Sequence, residues 1–186
     1  MKIKKAYPNT KRAIEKFISK YPAPGKILDV GTRDGYAIHL FKKYGFDCYG
    51  TDVDESYVKY CNNRGYDVVM DDFENTCLDP NCKFNVVYSS HVIEHCENPI
   101  NFMKSAHKVL KPNGIIYMYF PLEEKKIDKK HHGSMKHRSF WPDLETFNLE
   151  VVNPKLFKTL ELSINKTTHK KGGHRHVEAL FIGMKI

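Results

Sequence analysis

At 186 residues, with 41% hydrophobic residues including eleven Phe and eleven Tyr, the chain has the length and apolar content of one globular domain of about 100 to 200 residues. No apolar run approaches the roughly 20 residues of a membrane-spanning helix, and the basic start MKIKKAYPNTKR lacks the apolar stretch of a secretory signal, so no membrane span and a cytoplasmic location are expected. The net charge of +8, concentrated in the N-terminal dozen residues and in 123–138 and 165–176, points to an anionic partner or to solvated loops, and five scattered cysteines without a Cys-x-x-Cys pair exclude a disulfide framework or zinc ribbon.

Strand-like and helix-like segments alternate along the chain. KILDV (26–30) is a short apolar strand ending at Gly31, and DGYAIHLFKKYG (34–45) reads as a helix with lysines in its last turn and Gly45 after it. FDCYGTDV (46–53) predicts a second strand, and ESYVKYCNNRG a helix closed by Gly65. YDVVM (66–70) and FNVVYSS (84–90) are the third and fourth strands. A helix is expected from Asn98-Pro99 to just before Lys111-Pro112-Asn113-Gly114, and GIIYMYF (114–120) is the fifth strand. Such alternation implies parallel pairing with right-handed crossovers, hence an open α/β sheet with helices on both faces. After the polar stretch 122–139 come a short helix near FWPDLETFN and two strands, 155–164 and 177–186, joined by a turn at Gly172-Gly173. Joined in that way, these two run antiparallel at a sheet edge.

In open α/β sheets a ligand lies beyond the carboxyl ends of the strands. After the first strand comes LDVGTRDG, where Gly31 and Gly35 permit a sharp turn and close backbone approach. After the second, Asp52 stands about 20 residues beyond the glycine turn, placed to accept from two ribose hydroxyls. After the third, Asp71 or Asp72 is placed to accept from an exocyclic amine, and Phe73 to cover an aromatic face. Together these describe a nucleoside pocket. The turn departs from the Gly-x-Gly-x-x-Gly of dinucleotide sites, and the acidic Asp29 suits a ligand carrying an amine and a sulfonium.

Five segments in order, LDVGTRDG, YGTDVD, VVMDDF, FNVVYSSHVIEH and HKVLKPNGIIYM, resemble the motifs of the class I S-adenosylmethionine-dependent methyltransferases, closely over 24–120 and loosely elsewhere. The resemblance implies a Rossmann-like, mostly parallel seven-stranded sheet with a C-terminal antiparallel hairpin, and one domain over 1–186. Within it, 1–23 would be an N-terminal helical segment, 24–120 the cofactor-binding core, and 121–186 the acceptor-side loop and hairpin. It implies S-adenosylmethionine as cofactor and S-adenosylhomocysteine as product. By position, Asp29, Gly31, Thr32, Arg33, Asp34 and Gly35 would line the methionine end, Asp52 and Val53 the ribose, Asp72 and Phe73 the adenine, and Ser90 with His91 the region near the sulfonium. Arg33 replaces the family's middle glycine, so it either points outward, the expectation here, or binds a carboxylate or an anionic acceptor.

SSHVIEH (89–95) also carries the His-x-x-Glu-His spacing of an inverted zinc-protease motif. There the two imidazoles lie on one helix, whereas here a strand runs directly into Ser89 and Ser90, so His91 is expected at the strand end and a divalent metal on His91, Glu94 and His95 is not expected. His95 reads as a packed or capping residue. Methyl transfer needs an aligned nucleophile and, for a hydroxyl, a proton acceptor, and histidine suits the latter. His91, His132 and His137 are the candidates. Enzymes that methylate amino groups of bases or of glutamine carry Asn/Asp-Pro-Pro-Tyr/Phe after the fourth strand, and SSHV lacks it. The expected reaction is O-methylation of a small, hydroxylated acceptor, a sugar or glycan ahead of a phenol, with an anionic one suited to the lysine-rich loop. A nucleic-acid acceptor is second choice, and a non-catalytic cofactor-binding module the remaining alternative.

Overall fold

The computed structural model describes residues 8–21, 25–123, 137–169 and 175–186. Among the described residues twelve α-helices and β-strands follow one another: α1 (Pro8–Lys20), β1 (Lys26–Val30), α2 (Tyr36–Lys43), β2 (Asp47–Asp52), α3 (Glu55–Asn62), β3 (Asp67–Met70), β4 (Phe84–Ser90), α4 (Pro99–Val109), β5 (Leu110–Leu122), α5 (Leu144–Val151), β6 (Phe157–His169) and β7 (Arg175–Lys185). The seven strands form one sheet in the order β3-β2-β1-β4-β5-β7-β6. The first five pair in parallel, and β7 lies antiparallel to both β5 and β6. Mostly parallel strands with a C-terminal antiparallel pair are thus the fold class that the sequence implies.

Strand alternation sorts the core into two layers. On β5, Ile116, Met118 and Phe120 face a cluster with Phe102, Met103, Trp141, Phe147 and Phe181. Tyr117 and Tyr119 face the other way, toward Ile14, Phe17, Ile38, Phe41 and Tyr88. Helices begin where side chains can satisfy their first amides. Asp54 accepts from the Ser56 amide ahead of α3, Asn98 from the Asn101 amide ahead of α4, and Asp143 from the Thr146 amide ahead of α5. Such caps contribute about 1 kcal/mol each.

Some boundaries differ from the sequence reading. β5 begins at Leu110, directly after α4, because Leu110 pairs with Phe84 before the register shifts at the Lys-Pro-Asn-Gly segment. The Phe-Trp-Pro stretch precedes α5, since helix formation waits for the Asp143 cap. β6 runs on to His169 because its pairing with β7 continues beyond the apolar run. No helix among the described residues is long and apolar enough to cross a membrane.

Candidate active site

The turn after β1 is built by three left-handed residues in five positions, Gly31 at φ 74°, Arg33 at φ 51° and Gly35 at φ 75°. The amides of Gly31 and Thr32 both donate to the Thr51 carbonyl, at 2.8 and 3.0 Å, which ties the turn to β2. Thr32 Oγ1 donates to the Asp29 carbonyl at 2.9 Å, and the Gly35 amide to the Thr32 carbonyl at 3.0 Å. The Arg33 side chain is exposed, in line with the outward orientation expected of it. What its position demands is a positive φ, which glycine adopts freely and arginine adopts at a cost of about 1–2 kcal/mol.

Two carboxylates sit under this turn. Asp52 is buried and braced: its Oδ2 accepts from the Arg33 amide at 2.8 Å and its Oδ1 from the Asp54 amide at 2.9 Å. Asp29 is buried with no hydrogen-bond partner for Oδ2. Burial, and then the nearby charges of Asp52 and Asp34, push its carboxyl up to about 8. Asp34 is half-buried and accepts from the Tyr36 amide at 3.3 Å.

At the ends of β2 and β3, Val53 and Met70 leave apolar surface exposed, at 49% and 64%. Asp72 is exposed, and its Oδ2 accepts from Asn75 Nδ2 at 2.9 Å. Asp71 is the more enclosed of the two: Oδ1 accepts from the Cys77 amide at 2.9 Å, while Oδ2 is buried without a partner. Phe73 belongs to the core, 4% exposed and edge-on to Phe102 with ring centroids 5.0 Å apart. This corrects the expectation that its ring covers a ligand, because the chain turns after Asp72 and drives Phe73 inward against α4.

β4 ends at Ser90, half-buried, and His91 follows with φ 58°. The next residues form a single 3-10 turn, Ile93–His95, in place of the α-helix of a metalloprotease motif. His91 donates its amide to the Tyr119 carbonyl and sets Nε2 2.9 Å from Glu178 Oε1 on β7, with Nδ1 3.3 Å from Glu94 Oε1. Partial desolvation of a ring that is still 40% exposed works against its charge, but the two carboxylates outweigh it and raise its pKa to about 10. With both ring nitrogens facing anionic oxygens, His91 is an imidazolium at neutral pH, which argues against its expected role as proton acceptor.

His137 lies elsewhere. Its Nδ1 is 2.9 Å from Glu123 Oε2, and its ring meets that of His95 edge-on at 4.9 Å. The amides of Arg138 and Ser139 donate to the Glu94 carbonyl, and Ser139 Oγ to the Cys96 carbonyl, which lays this segment along the 93–96 turn. His132 lies outside the described residues. Glu178 and Glu123 carry no local signal in the sequence, since their partners stand 87 and 14 residues away.

Solved structures share this fold at low identity. A S-adenosylmethionine-dependent methyltransferase from Methanosarcina mazei aligns with a TM-score of 0.73 at 12% identity, over 97% of this chain and 98% of that one. The glycopeptide N-methyltransferase MtfA complexed with S-adenosylhomocysteine aligns with a TM-score of 0.72 at 15% identity, over 97% and 91%. The N-terminal domain of EvdMO1, in the presence of S-adenosylhomocysteine and D-fucose, aligns with a TM-score of 0.69 at 14% identity, over 98% and 85%. No curated protein sequence matches the chain. The family model described as a methyltransferase domain matches residues 4–153. The chain therefore belongs to the methyltransferase domain family, and is a class I S-adenosylmethionine-dependent methyltransferase.

Proposed function

We propose that this methyltransferase O-methylates a small hydroxylated acceptor, with a sugar or glycan hydroxyl preferred to a phenol. The observation that carries the reading is the end of β4, where Ser90 and His91 stand in place of the Asn/Asp-Pro-Pro segment that polarises an amino group. The D-fucose present with the EvdMO1 domain is in keeping with a sugar acceptor on this fold.

When bound, S-adenosylmethionine supplies a methyl group already activated by a sulfonium. The residues suit it. The unpartnered, buried Oδ2 of Asp29 offers an acceptor for an amine, and the Asp52 oxygens keep capacity for ribose hydroxyls beyond their single amide bonds. Thr32, Arg33, Asp34 and the flanking glycines supply the turn that faces the methionine end. Val53 and Met70 offer apolar surface to the base, with Asp71 the acceptor on that side and Asp72 outside it. His91, held between Glu94 and Glu178, orients the acceptor as a hydrogen-bonding cation beside Ser90. Glu123 Oε2 lies 2.9 Å from Nδ1 of His137 and holds that ring against the 93–96 turn, where it is the second candidate to meet the acceptor.

Methyl transfer from S-adenosylmethionine to a panel of glycosides, phenols and oligonucleotides tests the reading. Products on glycoside hydroxyls that fall at least tenfold with Ser90→Ala or His91→Ala are expected. Methylation of oligonucleotides alone would overturn it. That second reading is favoured by the net charge of +8, and it predicts binding that weakens steeply with salt.

A further inference from the structure

We propose that Glu94, His95 and His137 form a site for one first-row divalent ion of the zinc, manganese or cobalt type. One ligand atom from each of the three residues lies within 4.8 Å of the others. An ion about 2.0–2.2 Å from each donor would separate the donors by roughly 3–3.5 Å, so the cluster closes on an ion by side-chain adjustments of about 1 Å. Two imidazoles and one carboxylate are the donor set of zinc sites that keep a position open for water or substrate, and imidazole nitrogen disfavours magnesium and calcium.

Three independent features point the same way. Glu94 is 1% exposed, and neither of its carboxylate oxygens has a hydrogen-bond partner. His91 Nδ1 approaches one of them to 3.3 Å, close enough for an ion pair but not aligned as a hydrogen bond. A buried carboxylate is stabilised by an ion pair or by a coordinated cation, and Glu94, with one off-axis contact to His91 and neither oxygen hydrogen-bonded, keeps lone pairs for a cation. Next, Glu123 accepts from His137 Nδ1 at 2.9 Å, the carboxylate–histidine arrangement that fixes ring orientation and tautomer in metal sites. Lastly, the segment carrying His137 is held on the Glu94 turn by the Arg138 and Ser139 amides, both donating to the Glu94 carbonyl, so the third ligand is delivered by backbone geometry.

The His-x-x-Glu-His string thus supplies ligands through its last two residues only. Its first, His91, faces Glu178, and the third ligand comes from beyond β5. This ligand set differs from the one weighed on sequence, where His91 stood in the place taken here by His137. An ion there would staple the chain's return after β5 to the end of β4.

The test is metal binding by the full chain, stripped with a chelator and dialysed, then titrated with Co2+ and followed by visible absorption and metal analysis. One Co2+ per chain with ligand-field bands, displaced by Zn2+ and not by excess Mg2+, is expected. Glu94→Gln and His137→Asn should each weaken binding by at least about tenfold, an effect of the size seen even when residues supporting the ligands are changed, while His107→Gln should not. Zn2+ should raise the melting temperature of the wild type and not of His137→Asn. Circular dichroism and S-adenosylhomocysteine binding report whether each variant is folded, and if Glu94→Gln is not, His137→Asn decides. Absence of stoichiometric binding, or binding indifferent to His137→Asn in a folded protein, would overturn the proposal.

Discussion

The Arg33 amide donates to Asp52 Oδ2 at 2.8 Å, so the turn after β1 and the carboxylate ending β2 are a single braced unit. With the Asp54 amide on the other oxygen, Asp52 holds two backbone donors. Hydrogen bonds to a charged group contribute about 1.5–3 kcal/mol each, so Asp52→Ala should cost about 3–6 kcal/mol of folding free energy, measured by urea denaturation. A loss below about 1 kcal/mol would mean that the turn keeps its shape without the brace.

Arg33 carries the left-handed strain of this turn in a position that favours glycine. Arg33→Gly should leave stability unchanged or raise it by up to about 1 kcal/mol, while the β-branched Arg33→Val should lower it by about 1–2 kcal/mol. S-adenosylhomocysteine affinity should stay within about twofold in Arg33→Gly, since one exposed side chain contributes little. A tenfold loss would show that the guanidinium binds the cofactor.

Asp29 gives the ligand-free protein a defined pH response. Its folded carboxyl titrates near 8, well above the ordinary range. Between about pH 4 and pH 8 the folded chain therefore holds a proton that the unfolded chain has released, and stability falls as pH rises through that window. Above it both states are ionised and the penalty is constant. Asp29→Asn should flatten the slope. An amine bound beside Asp29 favours its ionised form, so binding at pH 7 should release protons, seen as a dependence of calorimetric heat on the ionisation enthalpy of the buffer. Proton uptake, or none, would count against Asp29 as the amine's partner.

On the adenine side, Asp71→Asn should weaken S-adenosylhomocysteine binding more than Asp72→Asn, because only Asp71 has a buried oxygen without a partner. Phe73→Ala should act chiefly on folding, costing about 3–5 kcal/mol as a cavity opens against Phe102. Titration calorimetry and denaturation of the three variants separate these roles, and a larger binding loss in Asp72→Asn would restore the assignment made from sequence.

The sheet and its strand ends were legible because apolar runs ending in Gly31, Asp52 and Ser90 are local signals. Parallel pairing of the first five strands needed only the alternation of elements, and the antiparallel hairpin the turn signal at Gly172-Gly173, whereas the order of the strands in the sheet came from the structure. The meeting of His91 with Glu178, or of His95 with His137, is a product of β7 inserting between β5 and β6 and of the chain returning over the 93–96 turn. Such pairings have no local trace. Nor does residue type tell which of two adjacent aspartates is enclosed: Asp71 and Asp72 differ only in the direction the backbone gives them. The middle position of the glycine turn was misleading in another sense, since the requirement there is a positive φ and arginine meets it at a cost.

The most direct test of the account is titration calorimetry of S-adenosylmethionine and S-adenosylhomocysteine into wild type and Asp52→Ala, each with and without a chelator. Binding by the wild type that persists in the chelator and weakens at least tenfold in a folded Asp52→Ala is predicted, because the pocket at the ends of β1 and β2 needs no ion. Equal affinity in the two proteins would place the cofactor elsewhere and contradict the site described for it.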